Sequence, residues 1–471
     1  MQNGKFKIYN TRTGRVGEFN PIHQNRINIF VCGPTVYDYS HLGHARTYIV
    51  FDSLIKYLRF KGYQVFYIMN VTDIDDKIIA RALEKGEDPI KLAERFLTIF
   101  LEDMKSLGVN SVSLYAKATD HIAEIIGQTQ ILLDKGAAYE SKGSIYFKVD
   151  SYPDMGQLSG QKLDKLKPGA RVQVREEKYS PEDFALWKKK KENEPFWPSP
   201  WGEGRPGWHI EDTAIAVTYF GRKYDLHGGA LDLIFPHHEA EIAIAESCYG
   251  EKPYVNVWMH TGFLTVNGEK MAKSLGNFIT IRQALERYRP EVIRFLMLHA
   301  HYRSPLDYSE EKMVEAENGY TYLERSFSKA LEGAVESKQG EKNEDQLEKL
   351  EKIKLRFFKS LDNDLNTREA ITQLFELANF INNLNNFNEK FSEELKTFIN
   401  NVNEILGIFS FESKKVDTET IGNLVKILVE AREDLRKRKI YDLSDKIRES
   451  LRKTGIKIDD EGEGSSWSFA S

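Results

Sequence analysis

The chain of 471 residues is 41% hydrophobic and 29% charged, and its 66 basic and 71 acidic residues leave a net charge of −5. This composition excludes a wholly disordered chain, a collagen and a disulfide-stapled miniprotein, and the length suits several domains of roughly 100–200 residues each. No apolar run approaches the ~20 residues of a membrane helix, Met1 to Phe6 lacks a signal-peptide core, and the two cysteines, Cys32 and Cys248, suit a reducing cytoplasm.

Taken in chain order, Ile27 to Val31 predicts a strand ending at Cys32-Gly33-Pro34, and a helix follows over Leu42 to Phe60. Gln64 to Met69 predicts a second strand and Thr72 to Leu83 a second helix. Strand, helix, strand at this spacing predicts a parallel α/β sheet. A hairpin over Ala137 to Val149 and a Pro/Trp-rich stretch, Pro195 to Trp201, read as an insertion into that sheet domain. The α/β texture resumes with Asp225 to Pro236, a helix from His238 to about Tyr249 and a strand near Tyr254 to His260. Beyond about residue 308 the chain is almost entirely helix-forming. Phe357–Leu361, Ala370–Ile381, Leu395–Ile408 and Ile421–Leu435 repeat apolar residues at three- and four-residue spacing and predict a bundle. Gln339 to Asp345 reads as a solvated connection and Lys188 to Lys191 as a solvated charge run.

Three clusters carry chemistry. Cys32-Gly33-Pro34-Thr35 and His41-Leu42-Gly43-His44 lie where a strand ends and a helix begins, the place where open parallel sheets bind ligands and where free helix N–H groups suit phosphate. Alone, the two histidines read as a polar turn with capping side chains. Lys270-Met271-Ala272-Lys273-Ser274, bracketed by Gly268 and Gly276, places two lysines where a polyphosphate leaving group would gain charge; alone it reads as an exposed basic loop. His237 and Glu241, at i and i+4 on a helix, share a face and form half a zinc site, to which Cys32 and the segment Trp208 to Asp212 are candidate contributors. A surface helix pair is the plain alternative. Cys248 reads as a small buried hydrophobe.

The first two clusters together resemble the His-Ile-Gly-His and Lys-Met-Ser-Lys-Ser nucleotide motifs of class I aminoacyl-tRNA synthetases, with Ala272 replacing the middle serine. Cys32 to Asp38, Asn70 to Lys77, Ala118 to His121, Gly207 to Glu211, His227 to Gly229, Phe235 to Glu239, His301 to Leu306 and the tail Gly464 to Trp467 narrow the resemblance to the cysteinyl-tRNA synthetase family, nearly end to end. The resemblance implies a Rossmann-type α/β catalytic domain in two halves (1–116 and 206–307), an insertion (117–205), a helical stem and bundle (308–410) and an anticodon-binding region (411–471). It also implies zinc ligands Cys32, His237 and Glu241. The family's fourth ligand is a cysteine where this chain has Asp212. Aspartate keeps the formal charge of a thiolate and is itself a zinc ligand, so Asp212 completes the expected set of four while making the site harder.

The implied reaction activates L-cysteine with ATP and Mg²⁺ and transfers it to tRNA. His41, His44 and Gly43 would hold the phosphates, and Lys270, Lys273 and Ser274 the leaving group. Cys32, Thr72, Trp208 and Asp232 would line the amino-acid pocket, with His209 and Glu211 supporting the ligands. Thr72 reads equally as a helix start. Arg436 to Lys439 and Trp467 are candidate tRNA contacts. Two alternatives stay open: a ligase joining cysteine to a small amine-bearing sugar, and a noncatalytic tRNA-binding paralogue. The oligomeric state is not legible in the sequence.

Overall fold

The computed structural model describes residues 4–161, 177–271, 277–332, 344–384, 387, 389–410, 418–453, 456–461 and 464–469. A hairpin, β1 (Lys7–Asn10) and β2 (Arg15–Glu18), precedes β3 (Arg26–Val31), whose apolar run is buried after its first residue. Helix α1 (Leu42–Phe60) leads to β4 (Gln64–Val71), and α2 (Asp76–Lys85) and α3 (Pro89–Ser106) lead to β5 (Leu114–Lys117). After α4 (Ile122–Asp134), the strands β6 (Ala138–Ser141), β7 (Ser144–Phe147), β8 (Phe184–Lys189) and β9 (Gly204–Pro206) form an antiparallel sheet of their own. The chain then returns through α5 (Trp208–Phe220), β10 (Tyr224–Ala230), α6 (Glu239–Tyr249) and β11 (Val255–Thr261).

The five-stranded sheet has the order β11-β10-β3-β4-β5, with every pair parallel. Successive strands run outward from β3 in one direction and then outward from β3 in the other. The order reverses between β3 and β10, so a crevice opens at the carboxyl ends of those two strands. Phe30 and Ile68 of the sheet pack in one buried cluster with Ile210 and Ile215 of α5 and Ile242 and Ala245 of α6. That core fixes the helices that carry the site.

Short strands β12 (Leu264–Val266), β13 (Glu269–Lys270) and β14 (Leu306–Tyr308) form a third sheet around α7 (Ile281–Arg287) and α8 (Pro290–Leu298) in sequence. Four helices follow: α9 (Glu310–Glu332), α10 (Glu344–Asp362), α11 (Thr367–Asn382) and α12 (Glu389–Leu406). They belong with the sheet domain to one compact unit, Met1–Phe409. The second unit, Ser410–Ser471, contains α13 (Thr418–Lys437), α14 (Tyr441–Lys453) and a hairpin of β15 (Ile456–Glu461) and β16 (Gly464–Phe469). Among the described residues no helix is long and apolar enough to cross a membrane.

Some predicted elements differ. The helix expected from Thr72 begins at Asp76, capped by the Asp75 side chain, because Thr72 instead continues the β-like pairing: its N–H bonds the Pro34 carbonyl and its carbonyl accepts from Val36. The helix expected from His238 begins at Glu239 after a wide turn over Ile234–His238. The tail is not all helical, since β15 and β16 pair. Lys188 is half-buried and ion-paired to Asp76 at 2.6 Å rather than solvated. Most of the connection expected at Gln339 to Asp345 lies outside the described residues, and its last two residues open α10.

Arg294 of α8 joins the sheet domain to the stem. Fully buried, it donates to Asp52 of α1 (2.9 Å), to the Leu107 carbonyl after α3 (3.1 Å) and twice to the Leu406 carbonyl at the end of α12. Burial alone would raise the Asp52 carboxyl, but Arg294 and Lys56 hold it below its ordinary range. Removing one partner of a buried ion pair strands the other. Arg294→Met is expected to destabilise this unit by about 3 kcal/mol at pH 7 in denaturant melts followed by tryptophan fluorescence. A depressed folded-state pKa stabilises above the unfolded value and is lost as pH falls through the folded one, so the difference from wild type should shrink below about pH 4.

Candidate functional site

The crevice between β3 and β10 is where the candidate ligands converge. Cys32 follows β3 directly, and its N–H bonds the Gly228 carbonyl of β10 at 3.0 Å. Asp212 projects from the second turn of α5, His237 from the wide turn before α6, and Glu241 from the first turn of α6. All four are buried. Cys32 Sγ lies 3.1 Å from Asp212 Oδ2 and 3.9 Å from Glu241 Oε1, while His237 Nε2 lies 3.1 Å from Asp212 Oδ2 and 3.3 Å from Glu241 Oε1. A tetrahedral ion with bonds of about 2.0–2.3 Å has ligand edges of about 3.3–3.7 Å, which these separations bracket.

The chemistry of the donor set also suits a cation. Burial, followed by the charges of Asp212 and Glu241, pushes the Cys32 thiol well above its ordinary range. Burial and the charge of Asp212 push Glu241 up in the same way. Glu241 Oε2 is buried without a hydrogen-bond partner. Three acids packed together away from water can all be anionic only if a cation joins them. One sulfur, one imidazole nitrogen and two carboxylate oxygens form an acceptable zinc set.

A second group overlaps the first: Cys32 and Glu241 also face His227 and His238. Cys32 Sγ lies 3.3 Å from His227 Nε2 and 3.2 Å from His238 Nε2, and His238 Nε2 lies 4.0 Å from Glu241 Oε1. The far nitrogens are tied down. His227 Nδ1 meets the Tyr224 hydroxyl at 2.5 Å, and His238 Nδ1 meets His260 Nε2 at 2.8 Å, whose Nδ1 meets the Thr11 hydroxyl at 2.7 Å. Burial lowers all three imidazoles, His260 to about 3, so they stand neutral. Sequence reasoning assigned no role to these histidines. The signal available was their position: two at or near the carboxyl ends of strands and one beside a candidate ligand.

Around the first group the supporting residues lie close. His237 Nδ1 pairs with His209 Nδ1 at 2.8 Å, and the Trp208 ring stacks on His237 with centroids 4.1 Å apart. His209 is held neutral by burial and by its neighbour His237. Thr72 is buried and spends its hydroxyl on Glu211, so it reaches the site through that carboxylate rather than as an open pocket wall. Asp232 lies exposed in the turn after β10. Cys248 is buried, its thiol pushed up to about 12 by burial, as expected for a packing residue.

His41 and His44 form a capping box at the start of α1. Gly43 N–H donates to His41 Nδ1 at 3.0 Å and His41 N–H donates to His44 Nδ1 at 3.3 Å, and the two rings stack 3.8 Å apart. Because each Nδ1 accepts from a backbone N–H, the neutral rings carry their proton on Nε2. Burial, His41 and Lys77 hold His44 well below its usual range, so it offers a hydrogen bond rather than a charge. A side chain at Gly43 would collide with the His41 ring.

The segment that follows the Lys270 loop borders this helix start. Leu42 N–H bonds the Ile279 carbonyl and Ile281 N–H bonds the Ser40 carbonyl, and Phe278 meets the His41 ring edge-on at 5.1 Å. Lys270 lies on β13, while Lys273 and Ser274 lie outside the described residues. Trp467 sits half-buried on β16 beside Val425, Val429 and Ile458, a packing position in its own unit, and Arg436 to Lys439 are exposed.

Residues 18–318 match the family model for the tRNA synthetases class I (C) catalytic domain, and residues 356–410 match the DALR domain. A cysteine–tRNA ligase of Thermococcus gammatolerans is 50% identical over 469 residues, covering 98% of both chains. One of Carboxydothermus hydrogenoformans is 44% identical, covering 98% of this chain and 99% of its own. A solved Mycobacterium tuberculosis methionyl-tRNA synthetase, bound by methionyl-adenylate, shares the fold with a TM-score of 0.60 at 15% identity, covering 81% of this chain and 92% of its own.

The two overlapping groups can be told apart by metal binding. If the group with Asp212 and His237 holds the ion, His237→Ala should weaken zinc binding by more than the ~10–100-fold typical of a supporting residue, and His227→Ala by no more than that. Chelator competition on the purified chains measures both. The reverse order would assign the ion to His227 and His238.

Proposed function

The chain belongs to the cysteine–tRNA ligase family of class I aminoacyl-tRNA synthetases, and from that premise we propose that it joins L-cysteine to tRNA(Cys) through a cysteinyl-adenylate. The observation that carries this reading is the meeting of one thiol, one imidazole and two carboxylates in the crevice beside the His41–His44 helix start.

Cysteine must be distinguished from serine, which differs only by oxygen for sulfur, and shape discriminates such small groups poorly. Cys32, Asp212, His237 and Glu241 would hold zinc, which when bound would supply a Lewis acid for which the substrate thiolate is a far better ligand than a hydroxyl. His209 takes the far nitrogen of His237, and Trp208 walls the pocket by stacking on its ring. Glu211, held by Thr72, supports α5 next to Asp212. Exposed Asp232 is the candidate for the substrate ammonium.

In the first step the cysteine carboxylate oxygen attacks the α-phosphorus of ATP, and the bond to pyrophosphate breaks. The Nε2–H groups of His41 and His44 and the free N–H groups opening α1 hydrogen-bond the phosphates. Lys270 and Lys273, with Ser274 next in sequence, would stabilise the departing pyrophosphate, and Mg²⁺ would accompany the nucleotide. In the second step a hydroxyl of the terminal ribose of tRNA attacks the carbonyl carbon and AMP leaves. Both steps rest on positioning and electrostatics. Residues 411–471 meet the anticodon, with Arg436 to Lys439 available to phosphate. The chain works in the cytoplasm, consistent with its two free, buried cysteines.

Transfer of labelled cysteine to tRNA(Cys) in the presence of ATP tests the reading. Cysteine-specific charging in excess serine is the expected result. ATP-independent tRNA binding without charging, in zinc-loaded protein, would instead leave a noncatalytic paralogue. His44→Ala is expected to lower the rate of cysteine-dependent ATP–pyrophosphate exchange by about 10²-fold, the usual effect of removing one transition-state donor. Since His44 is neutral well above its lowered pKa, that exchange should show no step from His44 between pH 6 and 8.

A further inference from the structure

Asn70 is a polar residue at the carboxyl end of an otherwise apolar strand, β4, and it is buried. Its side chain joins two of the segments that carry ligands. Oδ1 accepts the Gly33 N–H at 2.6 Å, one residue after Cys32, and Nδ2 donates to Asp212 Oδ1 at 2.5 Å. The amide orientation follows from the partners, because a backbone N–H can only donate and a carboxylate oxygen can only accept. Backbone contact reinforces the link: a Cβ at Gly33 would run into the Asn70 carbonyl.

The consequence falls on Asp212. A carboxylate offers two oxygens, whereas the thiolate found at this position in the resembled family is a single ligand atom. Asp212 is fully buried, so an oxygen without a donor there is strongly unfavourable. Here the two oxygens are divided. Oδ1 is taken by Asn70, and Oδ2 alone faces Cys32 Sγ and His237 Nε2, each at 3.1 Å. We propose that Asn70 is the positioning residue that makes a carboxylate serviceable at position 212, by binding one oxygen and presenting the other as a single-atom metal ligand in place of a thiolate. This rests on the reading that Asp212 belongs to the metal-holding group.

The planar amide fixes the separation between the Cys32 segment and α5, so Asn70 sets the distance between a soft sulfur ligand and a hard oxygen ligand. Ligands held this way by an outer hydrogen bond lose affinity when the bond is removed.

The experiment is a cycle of full-length chains: wild type, Asn70→Ala, Asp212→Cys and the double variant, with zinc affinity measured by chelator competition. Asn70→Ala is expected to weaken zinc binding by about 10–100-fold when position 212 is aspartate. When position 212 is cysteine, the same change should matter by less than about threefold, because the sulfur does not need the amide donor. Equal loss in both backgrounds would overturn the proposal and assign Asn70 to the Gly33 link or to folding. Undiminished zinc binding by Asp212→Ala would overturn the underlying metal assignment instead. Cobalt substitution supplies a second readout, with thiolate charge-transfer absorption unchanged by Asn70→Ala and strengthened by Asp212→Cys. If Asn70→Ala does not fold, the near-isosteric Asn70→Leu carries the same comparison, since it fills the space and removes the donor to Asp212 without adding charge, and its loss of the Gly33 link is common to both backgrounds at position 212.

Discussion

Cys32, Asp212 and Glu241 are three acids whose ligand atoms lie within 4.8 Å of one another, shut away from water. Their mutual repulsion as anions is the constraint around which the crevice is arranged. Without a cation, burial drives the thiol and the glutamate toward their neutral forms; with one, the same crowding becomes a tight anionic cage. The surrounding imidazoles, neutral through burial, add nitrogen donors without adding charge.

The fold supplies the rigidity this arrangement needs. The reversal of strand order between β3 and β10 opens the crevice, and Cys32 is fastened to β10 by a backbone bond across it. Asp212 and Glu241 ride on α5 and α6, whose apolar faces pack into the same core as the sheet. Asn70 closes the arrangement from β4. The His41–His44 helix start stands one connection away. Cys32 and the His41–His44 capping box are joined by a single short segment, so the donor cluster and the helix start are both placed by one strand-to-helix connection. The segment after the Lys270 loop is bonded to that same helix start, Ile279 to Leu42 and Ile281 to Ser40.

Much of this is legible in the sequence, for identifiable reasons. Ile27–Val31 and Leu42–Phe60 announce themselves because a buried parallel strand is a continuous apolar run and a long helix repeats its apolar face. The ligand spacing His237 to Glu241 is visible even though a wide turn intervenes before α6, because the separation along the chain is short. What escaped depends on contacts between distant segments. Thr72 looks like a helix start, but pairing with Pro34 and Val36 keeps it extended and its hydroxyl goes to Glu211. His227, His238 and His260 come together only when β10, β11 and the turn before α6 are adjacent in space. Asn70 left a trace, an amide in an apolar strand, but its two partners are 37 and 142 residues away. The β15–β16 hairpin is short, with a charge-rich first strand and a serine-rich second, so the helical texture before it dominates a local reading.

The central claim is that the cage at the β3–β10 crevice selects its substrate by the sulfur atom. X-ray absorption at the zinc edge of the full-length chain tests it most directly. The free enzyme should show one sulfur neighbour, from Cys32, among nitrogen and oxygen ligands. Added cysteine should raise the count to two, and added serine should leave it at one. A sulfur count that does not change with cysteine would contradict the account, because recognition of the thiol would then lie elsewhere.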